Sequence, residues 1–268
     1  FKRGAFLCII VLNKNLFFIH TFFRCTFTLG KEESLNMSNS AFIKSSLAKK
    51  YYMALTGLFL CLFLVGHLLG NLQLIFKTGE EGKRVFNEYA YFMTHNPAVM
   101  ILSYLTYFSI LFHAVDGIAL LIQNRRARPV KYAYTKPSSN SSWPSRNMII
   151  SGITVLAFLA LHFVDFWIPE ISTKYIVGDM SGLMNDGEYR YYHELHEKFN
   201  ALPRVIAYVI AFIFLSLHLL HGFQSSFQSV GVSTDKTRLS FYKIGTIFAI
   251  VVPFGFITIA LFHFLTQH

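Results

Sequence analysis

Charge is scarce in this sequence. Only 14% of its 268 residues are Asp, Glu, Lys or Arg, against 53% hydrophobic, where a soluble domain carries about a quarter charged residues. The deficit points away from a soluble domain and toward a bilayer, where charge is costly. Cysteine is also rare: Cys8, Cys25 and Cys61 form no CxxC pair, and Cys61 lies inside an apolar run. This excludes a disulfide framework, a zinc site and a cysteine-ligated iron–sulfur cluster. No glycine-rich dinucleotide fingerprint is present. The net charge of +10 does not mark a nucleic-acid partner. The Lys and Arg residues sit in short loops between apolar runs, a pattern that orients a membrane protein.

Five apolar runs reach the roughly 20 residues a spanning helix needs. Segment I is predicted from about Tyr51 to Phe76, II from about Pro97 to Gln123 and III from about Met148 to Ile168. Segment IV is predicted from about Pro203 to Phe227, and V from about Leu239 to Leu265 with a kink at Pro253. Pro97 and Pro203 fall where a helix tolerates proline, in its first turn. The II–III loop carries Arg125, Arg126, Arg128, Lys131, Lys136 and Arg146, and the IV–V loop carries Lys236 and Arg238. The I–II and III–IV loops hold most of the acids. The positive-inside rule then predicts a cytoplasmic core N-terminus. Residues 1–36 are read as a leader or upstream segment, with translation starting at Met37. Residues 37–268 are read as the transmembrane domain.

Histidine is plentiful, at 11 residues. Four lie one to a segment: His67, His113, His162 and His221. An ionisable residue inside a span is a functional-site hypothesis by default. His67 and His162 lie ~15 Å and ~12 Å before the ends of their helices, so they share a level. His113 and His221 share the other level, His113 ~18 Å before Arg125 and Arg126. Two pairs at two depths suit two stacked six-coordinate haems with neutral imidazole ligands. His218 precedes His221 by three, and spacing alone allows either to ligate, the other contacting a haem propionate or a quinone. Thr56-Gly57 precedes His67 and Ser151-Gly152 precedes His162 at the same spacing of eleven, for close approach to a macrocycle or for helix packing. Asp116 and Asp165 follow their histidines by three. They are candidate partners behind the ligands or proton carriers, and for Asp165 the membrane interface is the preferred reading. His193 and His196 are expected in a solvated loop, and His20, His95, His263 and His268 without a partner at depth.

The runs TGLFLCLFLVGH (Thr56–His67), FHAVDG (Phe112–Gly117), SGITVLAFLALH (Ser151–His162), HLLHGFQSSFQ (His218–Gln228) and DKTR (Asp235–Arg238) carry a resemblance. From about Ser46 onward the chain resembles the cytochrome b membrane-anchor subunit of bacterial succinate dehydrogenases and fumarate reductases, of the dihaem, five-helix type. The resemblance implies an all-α integral membrane fold whose four-helix bundle, I to IV, holds two haem b groups. It implies axial pairs His67 with His162 for the outer haem and His113 with His221 for the inner. Of the two neighbours it selects His221, the one followed by glycine. It implies flavoprotein and iron–sulfur partner subunits on the cytoplasmic side of a bacterial inner membrane, and a quinone, menaquinone, as electron acceptor. Glu88 roughly corresponds to a glutamate tied to the quinol site in some members. A proton-carrying glutamate two residues before the helix IV ligand is Leu219 here. The rival readings are another dihaem quinone-reactive anchor and a haem-free proton-coupled transporter.

Overall fold

A computed structural model describes residues 46–127, 142–184 and 187–266. The expected leader, residues 1–36, lies outside them. So do His20, Cys8, Cys25, Lys44, Arg128, Lys131, Lys136, Asp186 and His268. The fold is all-α, and the described residues include five helices long and apolar enough to cross a membrane.

The first spanning helix, α1 (Ser46–Phe76), is followed by a short amphipathic helix, α2 (Gly79–His95). The second span, α3 (Pro97–Arg126), starts at a clear stop signal. Asn96 caps it, its Oδ1 accepting from the backbone N–H of Ala98 at 2.9 Å, and Pro97 opens the first turn, where no N–H is needed. After a short turn, α4 (Trp143–Arg146), the third span α5 runs over Met148–Val177. Helix α6 (Tyr191–Asn200) leads into the fourth span, α7 (Leu202–Ser229), and the fifth, α8 (Arg238–Leu265). Pro253 lies buried inside α8.

Two features were not anticipated. The third span continues past Pro169, where the apolar run had been expected to end. Proline offers no N–H to the carbonyl four residues back, that of Asp165, and its ring crowds that carbonyl. The helix widens into a π turn over Phe163–Trp167, resumes as α-helix over Ile168–Ile171, and widens again over Ser172–Val177. The I–II and III–IV connections are not open loops either. Helix α6 buries Leu195 and Phe199 on one face, four residues apart, and leaves His193 and Glu197 exposed on the other. Helices α2 and α6 are joined at the same end of the bundle. Asn87, 3% exposed, accepts the Tyr192 N–H at 2.8 Å. The rings of Phe86 and Tyr192 meet edge to face at 6.3 Å.

Helix α7 is the central element, packing on α8, α5 and α1, while α1 also packs on α3 and α8. Their shared core includes Leu68, Val205, Tyr208, Phe212, Leu219, Ala249 and Phe256. The remaining faces of the spans present Leu, Ile, Val and Phe outward, as lipid-facing helices do.

Candidate functional site

The spanning-helix histidines come together as two facing pairs. His67 of α1 and His162 of α5 have ring centres 5.9 Å apart and planes at 81°. His113 of α3 and His218 of α7 have ring centres 6.2 Å apart and planes at 69°. Two imidazoles binding one metal from opposite sides need roughly 6 Å: two bonds of about 2 Å, plus about 1 Å from each nitrogen to its ring centre. Both pairs fit that spacing. Among the described residues no three His, Cys, Asp or Glu side chains gather around one point. Each pair therefore offers two ligands, which suits a metal whose other positions are filled by a macrocycle.

The second pair differs from the pair expected, His113 with His221. The ring facing His113 belongs to His218. His221 is half-buried about 60° further round α7 and is part of neither pair. The reason lies on α5. Ser151 Oγ donates to the Met148 carbonyl at 2.9 Å and lies 3.3 Å from His218 Nδ1, which it receives as an acceptor. His113 is held the same way from α1. Its Nδ1 faces the Met53 carbonyl at 3.1 Å and the Thr56 hydroxyl at 3.4 Å. A carbonyl only accepts, so Nδ1 carries the proton and Nε2 keeps the free electron pair. This is the tautomer arrangement of a metal-binding histidine.

The Thr-Gly and Ser-Gly pairs thus serve the histidines of the following helix. A Cβ on Gly57 would stand 3.1 Å from His113 Cε1, and one on Gly152 would stand 3.6 Å from His218 Cε1. Absence of a side chain lets each imidazole lie against the neighbouring helix. The repeat also includes the carbonyl acceptor position: Met53-Ala-Leu-Thr-Gly57 and Met148-Ile-Ile-Ser-Gly152. That five-residue repeat was a legible signal for His218, because its second copy lies beside α7.

The first pair lines a cavity of about 500 Å³, within the range of cofactor pockets. Phe63, Phe158, Phe166, Phe212 and Phe256 form apolar walls around His67 and His162. Phe63 stacks on His67 at 5.4 Å, and Phe158 on His162 at 5.8 Å. His162 Nδ1 is buried without a hydrogen-bond partner among the described residues, an orphan that calls for a partner outside the chain. The far end of the cavity is polar. There Lys174 bonds the Thr94 carbonyl at 2.7 Å and pairs with Glu170 at 2.7 Å. Arg190 bridges Glu170 and Glu194. Burial pushes the nearby Tyr191 hydroxyl up to about 12.

Other expected residues lie elsewhere. Glu88 is exposed on α2, paired with Arg84 at 2.8 Å, and does not line the cavity; its neighbour Tyr89 does. Asp165 is buried within the protein, 2% exposed, bonded to Tyr208 at 2.6 Å and paired with Arg204. His95 is hydrogen-bonded to the Tyr91 and Met180 carbonyls. His263 is 1% exposed, its ring facing His196 at 6.1 Å and Tyr192 at 5.9 Å. It therefore has an imidazole neighbour that the sequence reading did not give it.

Comparison with protein-family models, with curated proteins and with solved structures finds no match to this chain.

Proposed function

We propose that this chain is the haem-bearing membrane anchor and electron-transfer subunit of a succinate:quinone oxidoreductase. One observation carries the reading: two pairs of imidazoles face one another inside one bundle, each at the spacing a six-coordinate iron requires. His67 and His162 hold one haem b, and His113 and His218 hold the other. Bound there, the two haems supply one-electron transfer between an iron–sulfur subunit on one side of the membrane and a quinone, menaquinone, toward the other.

The chain's own residues do the positioning. Met53, Thr56 and Ser151 fix the tautomers of His113 and His218. The aromatic walls give the His67–His162 cavity an apolar lining, and Lys174 and Tyr191 supply donors at its polar end. Arg125, Arg126, Arg146, Lys236 and Arg238 cluster toward the end opposite α2 and α6. By the positive-inside rule that basic end is cytoplasmic, which makes it the docking side for the flavoprotein and iron–sulfur subunits. The dicarboxylate chemistry belongs to those partners. The position two residues before His218 is Ser216, so a carboxylic acid is missing there with this ligand as with the other.

Quantifying haem in the purified membrane protein tests the proposal. Two haem b per chain, with bands reduced by succinate in the presence of the partner subunits, is the expected result. A chain purified intact without haem overturns it and favours the proton-coupled transporter.

A further inference from the structure

We propose that Asp165, clamped between Arg204 and Tyr208, is a positioning residue that sets the redox poise of the site between His67 and His162. The inference rests on the haem reading above and concerns residues that reading does not use. Asp165 lies on the π turn that begins directly after His162. Such widened turns recur at functional sites because they re-aim side chains that a regular helix would place elsewhere. Here the turn brings a carboxylate into the seam with α7. Tyr208 donates to its Oδ2 at 2.6 Å, and Arg204 pairs with its Oδ1. Tyr208 is 2% exposed, and its ring stands 6.4 Å from that of His162. One tyrosine therefore separates the carboxylate from the histidine.

The two charges of the clamp do not cancel as seen from the site. Asp165 is 2% exposed and Arg204 is 32% exposed. Arg204 stands in the first turn of α7, nearer the surface, where its charge is screened more than that of the carboxylate, which acts through a low-dielectric interior in which its field reaches further. The pair thus presents a net negative field toward His162. A negative field opposes addition of an electron, so Asp165 holds the neighbouring haem at a lower potential than it would otherwise have. Arg204 limits how far that goes. A purely structural clamp would bind α5 to α7 with no electrostatic consequence.

The test is a redox titration of the purified complex carrying Asp165→Asn or Arg204→Gln, with haem content measured alongside. The component due to the His67–His162 site is identified as the one lost in a His67→Ala control. Asp165→Asn should raise the potential of that component, and Arg204→Gln should lower it by a smaller amount. The other component should stay in place in both. Arg204 is about a third exposed, so its variant remains informative if Asp165→Asn assembles poorly. Two haems retained with neither potential moved, or with both variants shifting the same way, overturns the inference. A wild-type protein without haem overturns the underlying reading instead.

Discussion

His218 Nδ1 lies 3.3 Å from the hydroxyl of Ser151, and that hydrogen bond separates His218 from its neighbour His221. The expected outcome of His218→Ala is loss of one of two haems per chain, whereas His221→Ala retains both. Ser151→Ala should keep the ligand but weaken cofactor retention roughly tenfold, as loss of an outer partner of a metal-bound histidine does. Haem quantification after detergent washing reads both effects.

Gly57 and Gly152 occupy matching places with unequal clearance. At 3.1 Å from His113 Cε1 an added methyl forces the ring or the helix to shift, while at 3.6 Å from His218 Cε1 it meets ordinary contact. Gly57→Ala should therefore broaden or shift the spectrum of the His113–His218 haem, and Gly152→Ala should not. Gly57→Val should remove that haem and spare the other.

The charge network at the cavity mouth is nearly buried, so breaking it leaves its carboxylates under-compensated. Lys174→Met leaves Glu170 and Glu194 to share Arg190 alone. A loss of about 3 kcal/mol is expected, read as a lower Tm of the purified protein. Glu88→Gln is the contrasting case. Its pair with Arg84 is exposed, so stability should change by less than about 1 kcal/mol, with haem content unchanged.

His196 gives the α2–α6 end a defined response to acid. Burial, and then the charge of the neighbouring His193, hold its imidazole below the ordinary histidine range. The unfolded chain therefore binds the proton more readily than the folded one. The contribution is intact above about pH 6.5 and is lost as pH falls below it. His196→Gln should flatten the acid limb of a Tm against pH profile.

The sequence reading located the five spans to within a few residues at most ends, because apolar length alone defines them. It missed α2 and α6, whose short amphipathic faces are interrupted by charge and whose burial depends on each other through Asn87 and Tyr192. It ended the third span at about Ile168, where the apolar run gives way to Pro169 and Glu170, and a π turn is not written in composition. The ambiguity between His218 and His221 was real in one dimension: three residues apart, both fall on one face of α7. Ser151, on a different helix, decides which of them meets His113. The partners of Asp165 were hidden for the same reason, since Arg204 and Tyr208 lie 39 and 43 residues further along the chain.

Helix α1 contributes to both imidazole pairs, through His67 itself and through the Met53 and Thr56 oxygens behind His113. The pairs are nevertheless finished at different moments of biosynthesis. Both imidazoles of the His67–His162 pair are present once α5 has been made, but its walls are not, because Phe212 comes from α7 and Phe256 from α8. The His113–His218 pair waits for α7, some fifty residues later in the chain. On the reading proposed above, neither site is finished before α7, which brings His218 to one pair and the Phe212 wall to the other, so a chain stalled ahead of it should retain no haem.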